Sequence, residues 1–348
     1  MVKKSRIGLF VTALLLVLAL IVPAGSPREA EAAPAFAKGA DISWVPGMEA
    51  QGYKWKDKNG VQRDIIDILK NDYQINSVRI RVFVNPSSNY GNGYLNKDRA
   101  AALALRAKNA GMSVMLTLHY SDSWADPGKQ TKPAAWVGYT FQQLMDAVYN
   151  YTRDVMTTMQ SKGVTPDWVQ IGNETNDGML WNDGKASLNM KNYAWLVNTG
   201  NNAVKSISSS TKTIVHLANG YDNSVFVWNI GGLVANGATF DIIGMSLYPS
   251  TSDWSTKVTQ TISNANNMIS RYGKPVMITE IGMAYNSPST AKSFVSDIKT
   301  KIRNISGGKG LGVFYWEPEA TPGYNGGYNL GAWQADMKPT IALEGFLN

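Results

Sequence analysis

Cysteine is absent from this chain of 348 residues, and histidine occurs only twice. Without cysteine, no disulfide framework can hold the fold, so a hydrophobic core must do so alone. Zinc and mixed-ligand metal sites draw mainly on histidine and cysteine, so the chain is poorly supplied for them. We therefore expect no metal ion at the functional site.

Charge is sparse as well, and the common nucleotide-binding motifs are missing. Charged residues make up 17% of the chain, and no long run of one sign occurs. The formal net charge of +7 is mildly basic and scattered, which does not favour a polyanionic partner. No glycine-rich dinucleotide fingerprint or P-loop follows the first predicted strand. We expect no cofactor and no nucleic-acid partner.

The N-terminus has the pattern of a secretory signal peptide. Basic residues precede an apolar run, residues 7–22, which is followed by small residues. A membrane anchor is the alternative, but the run is slightly short for a bilayer span and lacks a stop-transfer flank. We predict a signal peptide at residues 1–32, cleaved after Ala30-Glu31-Ala32, and a secreted, extracellular protein that is free of the membrane afterwards.

The remaining residues, 33–348, alternate between strand-like and helix-like segments. Eight short β-rich runs, such as SVRIRVFV and PVMITEIG, are separated by seven longer segments with helical spacing. Glycines at 111, 163 and 273 stop three of the helical segments, and a short closing helix is predicted near PTIALEGFLN. The pattern predicts an α/β protein, a single (β/α)8 TIM barrel, with a doubly wound sheet as the less favoured alternative.

Polar and aromatic residues follow the predicted strands, which is where a barrel assembles its active site. Glu174 and Glu280 end the fourth and seventh strands, so barrel closure places them across the mouth from each other. Glycosidic bond cleavage requires such a pair, one carboxyl protonated and one ionised, although either alone could be a helix cap or a surface ion-pair partner. The other candidates are Asp41, Trp44, Arg79, His119, Asp122, Trp124, Asn173, Asn219, Tyr248 and Trp316.

The neighbours of the two carboxyl groups predict how their roles divide. An arginine beside Glu280 would favour its charged form, whereas Glu174 could keep its proton against the walls of Trp168 or Trp181. Arg81 shares a strand face with Arg79, and it can either contact substrate or form a structural ion pair.

Aromatic residues and one histidine also have two possible roles. His119 can be a buried core histidine or a ligand-facing one. Four tryptophans offer flat apolar faces that suit sugar rings, although most aromatic residues of a core only pack. We expect two of the four to meet substrate: Trp44, Trp124, Trp136 and Trp254.

Segments across nearly all of the mature chain form a recognisable set: GADISWVPGMEAQG, VRIRVFVNP, LHYSDSWADPGKQTKPAAW, QIGNETNDGMLW, MITEIG and FYWEPEA. This set resembles glycoside hydrolase family 53, the secreted endo-β-1,4-galactanases. Asn-Glu and Thr-Glu alone would indicate only the wider clan of barrel glycosidases, whereas HYSDSWADPGKQTKPAAW is specific to the family. FYWEPEA contains Trp316, which resembles the floor beneath the sugar that is cleaved.

The resemblance implies roles for individual residues. Glu174 in GNET matches the acid/base, and Glu280 in ITEIG matches the nucleophile. Asn173 matches the residue that hydrogen-bonds the 2-hydroxyl of the sugar being cleaved. Arg79 and Tyr248 resemble the pair that keeps the nucleophile ionised and oriented.

One loop departs from the family pattern. Many bacterial members carry a long loop after strand seven, rich in Asp, His and Asn, that holds a calcium ion. Here the loop reads GMAYNSPSTAKS and contains no acidic residue. Calcium needs several oxygen ligands, which usually include carboxylates, so we expect this site to be missing.

The resemblance implies a monomeric, retaining endo-β-1,4-galactanase whose partner is a polysaccharide, the β-1,4-galactan side chains of pectin. Two alternatives stay open. One is another endo-β-glycanase of the same clan, such as a mannanase, xylanase or glucanase. The other is a non-catalytic carbohydrate-binding barrel, against which the presence of both carboxyl groups argues.

Overall fold

The computed structural model describes residues 1–2, 35–90 and 94–348. Eight parallel strands pair in chain order, and the first pairs with the last, so the sheet closes into a barrel. The predicted (β/α)8 TIM barrel is thereby confirmed. The strands are β1 Ala37–Asp41, β2 Ser77–Val82, β3 Ser113–Leu118, β4 Trp168–Ile171, β5 Lys212–Leu217, β6 Ile242–Leu247, β7 Val276–Ile281 and β8 Gly310–Trp316.

The main helices lie between the strands. They are α1 Val45–Ala50, α2 Ile65–Asp67, α3 Lys97–Asn109, α4 Phe141–Ser161, α5 Ala186–Ile207, α6 Asn223–Ala235, α7 Trp254–Tyr272, α8 Pro288–Arg303 and α9 Tyr324–Gly327. A π-helical turn, Ile68–Asp72, extends α2, and short 3-10 helices span Ala134–Trp136, Ser306–Gly308 and Ile341–Phe346. The predicted signal peptide, residues 1–32, lies outside the described residues except for its first two. Across residues 1–2, 35–90 and 94–348, no helix is both long and apolar enough to cross a bilayer.

Local sequence explains where the longer helices begin and end. Thr140 and Gln143 form a capping box at the start of α4, in which each side chain bonds the backbone N–H of the other. Gly273 ends α7 with φ 69°, a left-handed conformation that costs little only in glycine. The predicted short closing helix is the 3-10 helix Ile341–Phe346, where Gly345 lies against the backbone of α8 too closely for a side chain.

The strands are buried on both faces, as expected for a parallel barrel covered by helices. In β2 the apolar residues Val78, Ile80 and Val82 belong to the core between strands and helices, while Arg79 and Arg81 alternate with them. The alternation places both arginines inside the barrel, where their partners lie on other strands.

A separate apolar cluster fills the floor of the barrel. Phe314 and Trp168 pack edge to face there, with ring centroids 6.3 Å apart. Gly39 makes room for Phe314, because a Cβ at position 39 would lie 2.1 Å from the ring. The remaining members are Ala37, Met115, Ile214, Ile242 and Met277. Trp168 therefore supports the floor and does not wall Glu174, contrary to the expectation from sequence.

Phe314→Ala should lower the free energy of unfolding by about 3–5 kcal/mol, because the rigid floor cannot collapse into the lost ring volume. Urea unfolding measures the loss. Met115→Leu is the matched control in the same cluster and should cost less than about 1.5 kcal/mol. Equal losses in the two variants would contradict a tightly packed floor.

Candidate active site

A cavity of about 300 Å³ lies among residues at or just beyond the carboxyl ends of the barrel strands. Both predicted catalytic carboxyl groups, Glu174 and Glu280, line this cavity. Five other predicted site residues also line it, and these are His119, Trp124, Asn173, Tyr248 and Trp316. The lining is completed by Ala125, Asp126, Tyr328 and Leu330.

Three predicted residues lie beneath the cavity. Asp41 and Arg79 are almost fully buried, at 0% and 1% exposure, and pair with each other at the base of the site. Trp44 is buried under the aromatic wall, where its ring packs edge to face on Trp316 with centroids 5.0 Å apart. None of the three residues is part of the cavity lining.

Two further predicted residues lie outside the cavity lining. The Asp122 carboxylate accepts the backbone N–H groups of Asn85 and Ala134, so it orders the long loop after β3. Asn219 follows β5 with φ 58°, and its carbonyl accepts the N–H of Asp222. Their predicted substrate contacts stay predictions.

Glu280, near the end of β7, is surrounded by donors. Its Oε1 lies 2.8 Å from Nη2 of Arg79, and the hydroxyl of Tyr248 donates to its Oε2 at 2.7 Å. Burial raises the pKa of Glu280 above its ordinary value, although Arg79 and Tyr248 act to lower it. Because a cation and a hydroxyl donor both stabilise the anion, these contacts favour the charge on Glu280 over the charge on Glu174.

The ring of Tyr248 reaches Glu280 because glycine follows β7. A Cβ at Gly282 would lie 3.0 Å from the ring, inside normal contact. Although Tyr248 is 36% exposed, its hydroxyl points into the cavity, where desolvation and next the negative charge of Glu280 raise its pKa well above the ordinary value, so the hydroxyl remains a donor. The glycine thus permits the hydrogen bond to the carboxylate.

Arg79 connects the strands around the base of the cavity. Its Nη1 lies 2.5 Å from the Asp41 carboxylate on β1, and its Nε donates to Oε1 of Gln170 on β4 at 2.5 Å. Its Nη2 donates to Oδ1 of Asn173 at 2.8 Å as well as pairing with Glu280. A guanidinium has only donors in a fixed planar arrangement, so these partners fix its orientation.

Glu174 has a different environment. It follows β4 in the left-handed region, with φ 46°, a strained conformation for a non-glycine residue. Its Oε1 lies 2.6 Å from Oγ of Ser246, and no cation among the described residues forms a salt bridge with it. Burial, and next the negative charge of Glu280, raise the pKa of Glu174 to about 8. Glu174 is therefore protonated at neutral pH.

The walls around Glu174 differ from those expected from the sequence. Trp181 does not line the cavity, and its indole N–H donates to the carbonyl of Asp177 at 2.8 Å. Gln130, from the loop after β3, instead holds the exit of β4 by donating to the carbonyl of Asn173 at 2.8 Å. The burial of Glu174 thus comes from the loop after β3 and the cavity lining.

Ser246 and His216 were not among the predicted site residues. His216 is fully buried, with Nε2 2.7 Å from Oγ of Ser246 and Nδ1 3.1 Å from Oδ1 of Asn173. Ser246 lies two residues before Tyr248 on β6, so the two-residue period of a strand would have placed it on the cavity side. Tyr328 and Leu330 come from irregular backbone after β8, for which the sequence gives no period to follow.

Arg81 has a structural role beneath the aromatic wall. It is 2% exposed, pairs with Glu317, and lies 3.5 Å from the Asp41 carboxylate. Its guanidinium lies 4.3 Å from the ring centroid of Trp124 and 5.7 Å from that of Trp316. The cation therefore supports both tryptophans from below.

The remaining tryptophans pack away from the cavity. Trp136 lies against Tyr151, with centroids 6.0 Å apart, and Trp254 lies against Phe294 at 6.4 Å. Of the four tryptophans considered for sugar contacts, Trp124 alone lines the cavity.

The loop after β7 does not fit a calcium ion. Between Ile281 and Pro288 its side-chain oxygen donors are those of Tyr285, Asn286 and Ser287. Calcium is usually held by six to eight oxygens that include carboxylates, and this loop contains none. No step of the chemistry is assigned to a metal ion.

A closed (β/α)8 barrel with one buried and one half-buried carboxyl group lining the same cavity has the geometry of a barrel glycosidase. Residues 37–339 match the family model of Glycosyl hydrolase family 53. The chain belongs to this family and is a glycoside hydrolase.

Two known proteins that are similar in sequence to this chain are named as galactanases. A probable arabinogalactan endo-β-1,4-galactanase A of Neosartorya fischeri is 38% identical over 306 residues, 81% of this chain and 83% of the relative. An arabinogalactan endo-β-1,4-galactanase of Thermothelomyces thermophilus is 35% identical over 302 residues, 81% of this chain and 89% of the relative.

Solved structures agree with the sequence relatives. A fungal β-1,4-galactanase superimposes with a TM-score of 0.81 at 31% identity, over 89% of this chain and 98% of that one. The family 53 catalytic domain from Ignisphaera aggregans gives a TM-score of 0.79 at 30% identity, over 90% and 96% of the two chains.

Glu319→Gln should stabilise the protein increasingly as pH rises. Glu319 is fully buried after β8, and burial raises its pKa from 4.5 to about 7. Between these values the folded state holds a proton that the unfolded chain has released, so wild-type stability falls as pH rises from 4.5 to about 7. Gln cannot ionise, so the variant should gain up to about 3 kcal/mol over the wild type across this range.

Thermal unfolding of both proteins between pH 4.5 and pH 8 measures this difference. Glu344→Gln is the control, since Glu344 pairs with Lys292 and is partly exposed. A difference between Glu319→Gln and wild type that does not change with pH would contradict a buried protonated carboxyl.

Chelation should leave both the unfolding temperature and the activity unchanged, because the loop after Glu280 offers no carboxylate to calcium. The measurement compares the protein before and after dialysis against excess EDTA. A loss that added calcium restores would show that a calcium site exists elsewhere in the chain.

Proposed function

We propose that the protein is a secreted, retaining endo-β-1,4-galactanase that hydrolyses the β-1,4-galactan side chains of pectin, or type I arabinogalactan, by double displacement. The observation that carries the proposal is the contrast between Glu280 and Glu174, which share one cavity but not one environment. Glu280 is held by a cation and a hydroxyl donor, whereas Glu174 is half-buried and forms no salt bridge with any cation in the part of the chain that the structure describes.

Glu280 serves as the nucleophile. Its ion pair with Arg79 at 2.8 Å keeps it ionised, and the donor from Tyr248 orients the carboxylate. Attack of its oxygen on the anomeric carbon forms a covalent glycosyl ester as the bond to the leaving oxygen breaks. The contacts with Arg79 and Tyr248 thus position the Glu280 carboxylate and favour its unprotonated form.

Glu174 serves as the acid and then as the base. With a pKa of about 8 it retains its proton at neutral pH and can deliver it to the leaving oxygen. The ionised form then takes a proton from the water that hydrolyses the glycosyl ester. The two steps return Glu174 to its starting state and retain the anomeric configuration.

Asn173 and the tryptophans bind the sugar. One N–H of the Asn173 amide donates to the carbonyl of Ala125 at 2.8 Å, which leaves its second N–H for the 2-hydroxyl of the sugar. Trp316 and Trp124 line the cavity with apolar faces that suit the C–H surface of a sugar ring.

The choice of galactan rests on the relatives, whose names describe galactanases at 35–38% identity. The alternative is a mannanase, xylanase or glucanase built on the same barrel. A reducing-sugar assay on galactan, mannan, xylan and β-glucan separates these, and galactan should give the highest rate. Secretion through a signal peptide at residues 1–32 remains part of the proposal, as does the monomeric state.

Glu280→Gln should abolish cleavage of every substrate, because it removes the attacking anion. Glu174→Gln should slow galactan hydrolysis strongly but spare the first step on aryl glycosides, whose leaving groups need no proton. Azide should rescue this second variant and give a β-glycosyl azide. Rates on both substrates, with NMR of the products, measure these effects.

Glu344→Gln is the matched control, since Glu344 pairs with Lys292 outside the cavity lining and the variant should keep near wild-type rates. Azide rescue of Glu280→Gln with a β-glycosyl azide, and of Glu174→Gln with an α-glycosyl azide, would reverse the two roles, because azide that replaces the nucleophile attacks once with inversion. An α-anomer as the first product of the wild type would contradict retention.

A further inference from the structure

A line of four hydrogen-bonded side chains leads from Glu174 into the barrel. Glu174 contacts Ser246 at 2.6 Å, Ser246 contacts His216 at 2.7 Å, and His216 contacts Asn173 at 3.1 Å. Three of these residues are at most 6% exposed: Asn173, His216 and Ser246. The direction in which each hydrogen bond donates decides where the protons lie.

The amide of Asn173 fixes the inner end of the line. Its Nδ2 donates to the carbonyl of Ala125, and its Oδ1 accepts from Nη2 of Arg79, both at 2.8 Å. Because arginine only donates and a carbonyl only accepts, the amide has one possible orientation. Oδ1 must therefore accept from His216, whose Nδ1 carries a hydrogen.

His216 has no second proton to give. Burial, and next the positive charge of Arg79, hold its pKa well below the ordinary value, so the imidazole is neutral. With the hydrogen on Nδ1, Nε2 is an acceptor. The hydroxyl of Ser246 must then donate to Nε2, which uses its one hydrogen.

We propose that Ser246 and His216 are positioning residues that form a one-way hydrogen-bond line and keep a proton on Glu174 between turnovers. Since the Ser246 hydrogen points to His216, its oxygen can only accept from Glu174. The Glu174 carboxyl donates through Oε1 and must be protonated to do so. Catalytic use of this proton rests on the proposed function, whereas the hydrogen-bond directions do not.

Ionisation of Glu174 disrupts the line. The Ser246 hydroxyl then faces two acceptors with one hydrogen, so either the carboxylate or Nε2 of His216 loses its donor. The ionised state is therefore disfavoured, and return of the proton from water restores every bond. Rotation of the carboxyl about its last side-chain bond exchanges its oxygens and presents the proton to the cavity for transfer.

The charges around Glu174 act in addition to this line. Glu280 on β7 and Asp126 in the loop after β3 favour the protonated form, while Arg79 on β2 opposes it. A hydrogen bond donated by the Ser246 hydroxyl to Oε1 of an ionised Glu174 would lower the pKa of Glu174 and so also oppose the protonated form, whereas a hydroxyl that accepts from the protonated carboxyl favours that form. The sign of the effect of Ser246 is thus the quantity to test.

The second histidine of the chain provides an internal comparison. Nδ1 of His119 accepts the backbone N–H of Ala125 at 3.0 Å, so its hydrogen lies on Nε2. Burial, followed by Arg81 and Arg79, lowers the pKa of His119, which keeps it neutral. With two histidines in the sequence, the protein should contain one of each neutral tautomer.

The first test is NMR of the full protein labelled with 15N in histidine, at neutral pH. Two neutral imidazoles with opposite tautomers are expected, and Ser246→Ala should move the signals assigned to the Nδ1–H tautomer. An Nε2–H tautomer or an imidazolium at His216 would overturn the inference. This readout needs no activity, so it stands even if galactan is not the substrate.

The second test is the pH profile of kcat/KM for Ser246→Ala on the best substrate. The apparent pKa of the alkaline limb should fall by about half to one pH unit, because protonated Glu174 loses its hydrogen-bond acceptor. Thr213→Val, which removes a β5 hydroxyl bonded to Asn201, is the control and should keep the wild-type limb. An upward shift, or none, in Ser246→Ala would overturn the inference and leave the proposed function untouched.

Discussion

The buried guanidinium of Arg79 is the interaction on which the site depends. It joins Asp41 on β1, Gln170 on β4 and Glu280 on β7, and these strands meet only because the barrel closes. A buried charge is costly unless it is paired and its hydrogen bonds are satisfied. The fold therefore brings the partners together, and the partners in turn hold the cation at one position.

One cation placed between two carboxyl groups makes them unequal. Glu280 lies in direct contact with Arg79, whereas the charge of Arg79 acts on Glu174 without a salt bridge between them. Burial raises the pKa of both carboxyls, and Arg79 lowers both, but among the described residues only Glu280 pairs with the cation directly. Glycosidic cleavage requires this inequality, since one group must give a proton and the other must attack.

A second buried cation supports the sugar-facing wall. Arg81 pairs with Glu317 and lies under the rings of Trp124 and Trp316. Glu317 and Glu319 are both fully buried there, and burial raises the pKa of each. The upper half of the barrel is thus built from charges, while the floor around Phe314 is apolar. Apolar packing fills the floor and the core between strands and helices, whereas Glu174, with its left-handed backbone, lies at the polar end.

The sequence predicted the barrel and the carboxyl pair because both follow from simple periods. Alternating segments specify the strands, and a parallel barrel places the carboxyl ends of its strands at one mouth. The sequence alone therefore predicts that Glu174 and Glu280 lie in the same site. Trp168 was assigned to the wrong place because it starts β4, where its strand position puts it in the floor. Segments outside the strands have no regular period, so the sequence does not predict where their side chains point.

Residues outside the strands show the same limit. Tyr328 and Leu330 reach the cavity from a segment without periodicity, and Asp122 turns to the backbone of its own loop. Ser246 was predictable from its spacing to Tyr248, yet its meaning depends on the direction of a hydrogen bond. Such directions follow from the partners of Asn173 and His216, which only the three-dimensional structure supplies.

Neutron diffraction from a deuterium-exchanged crystal near neutral pH tests the central claim most directly, because it shows where the protons lie. The account predicts deuterium on the carboxyl of Glu174, none on Glu280, and a Ser246 hydroxyl that points to His216. Deuterium on Glu280 together with an ionised Glu174 would contradict it.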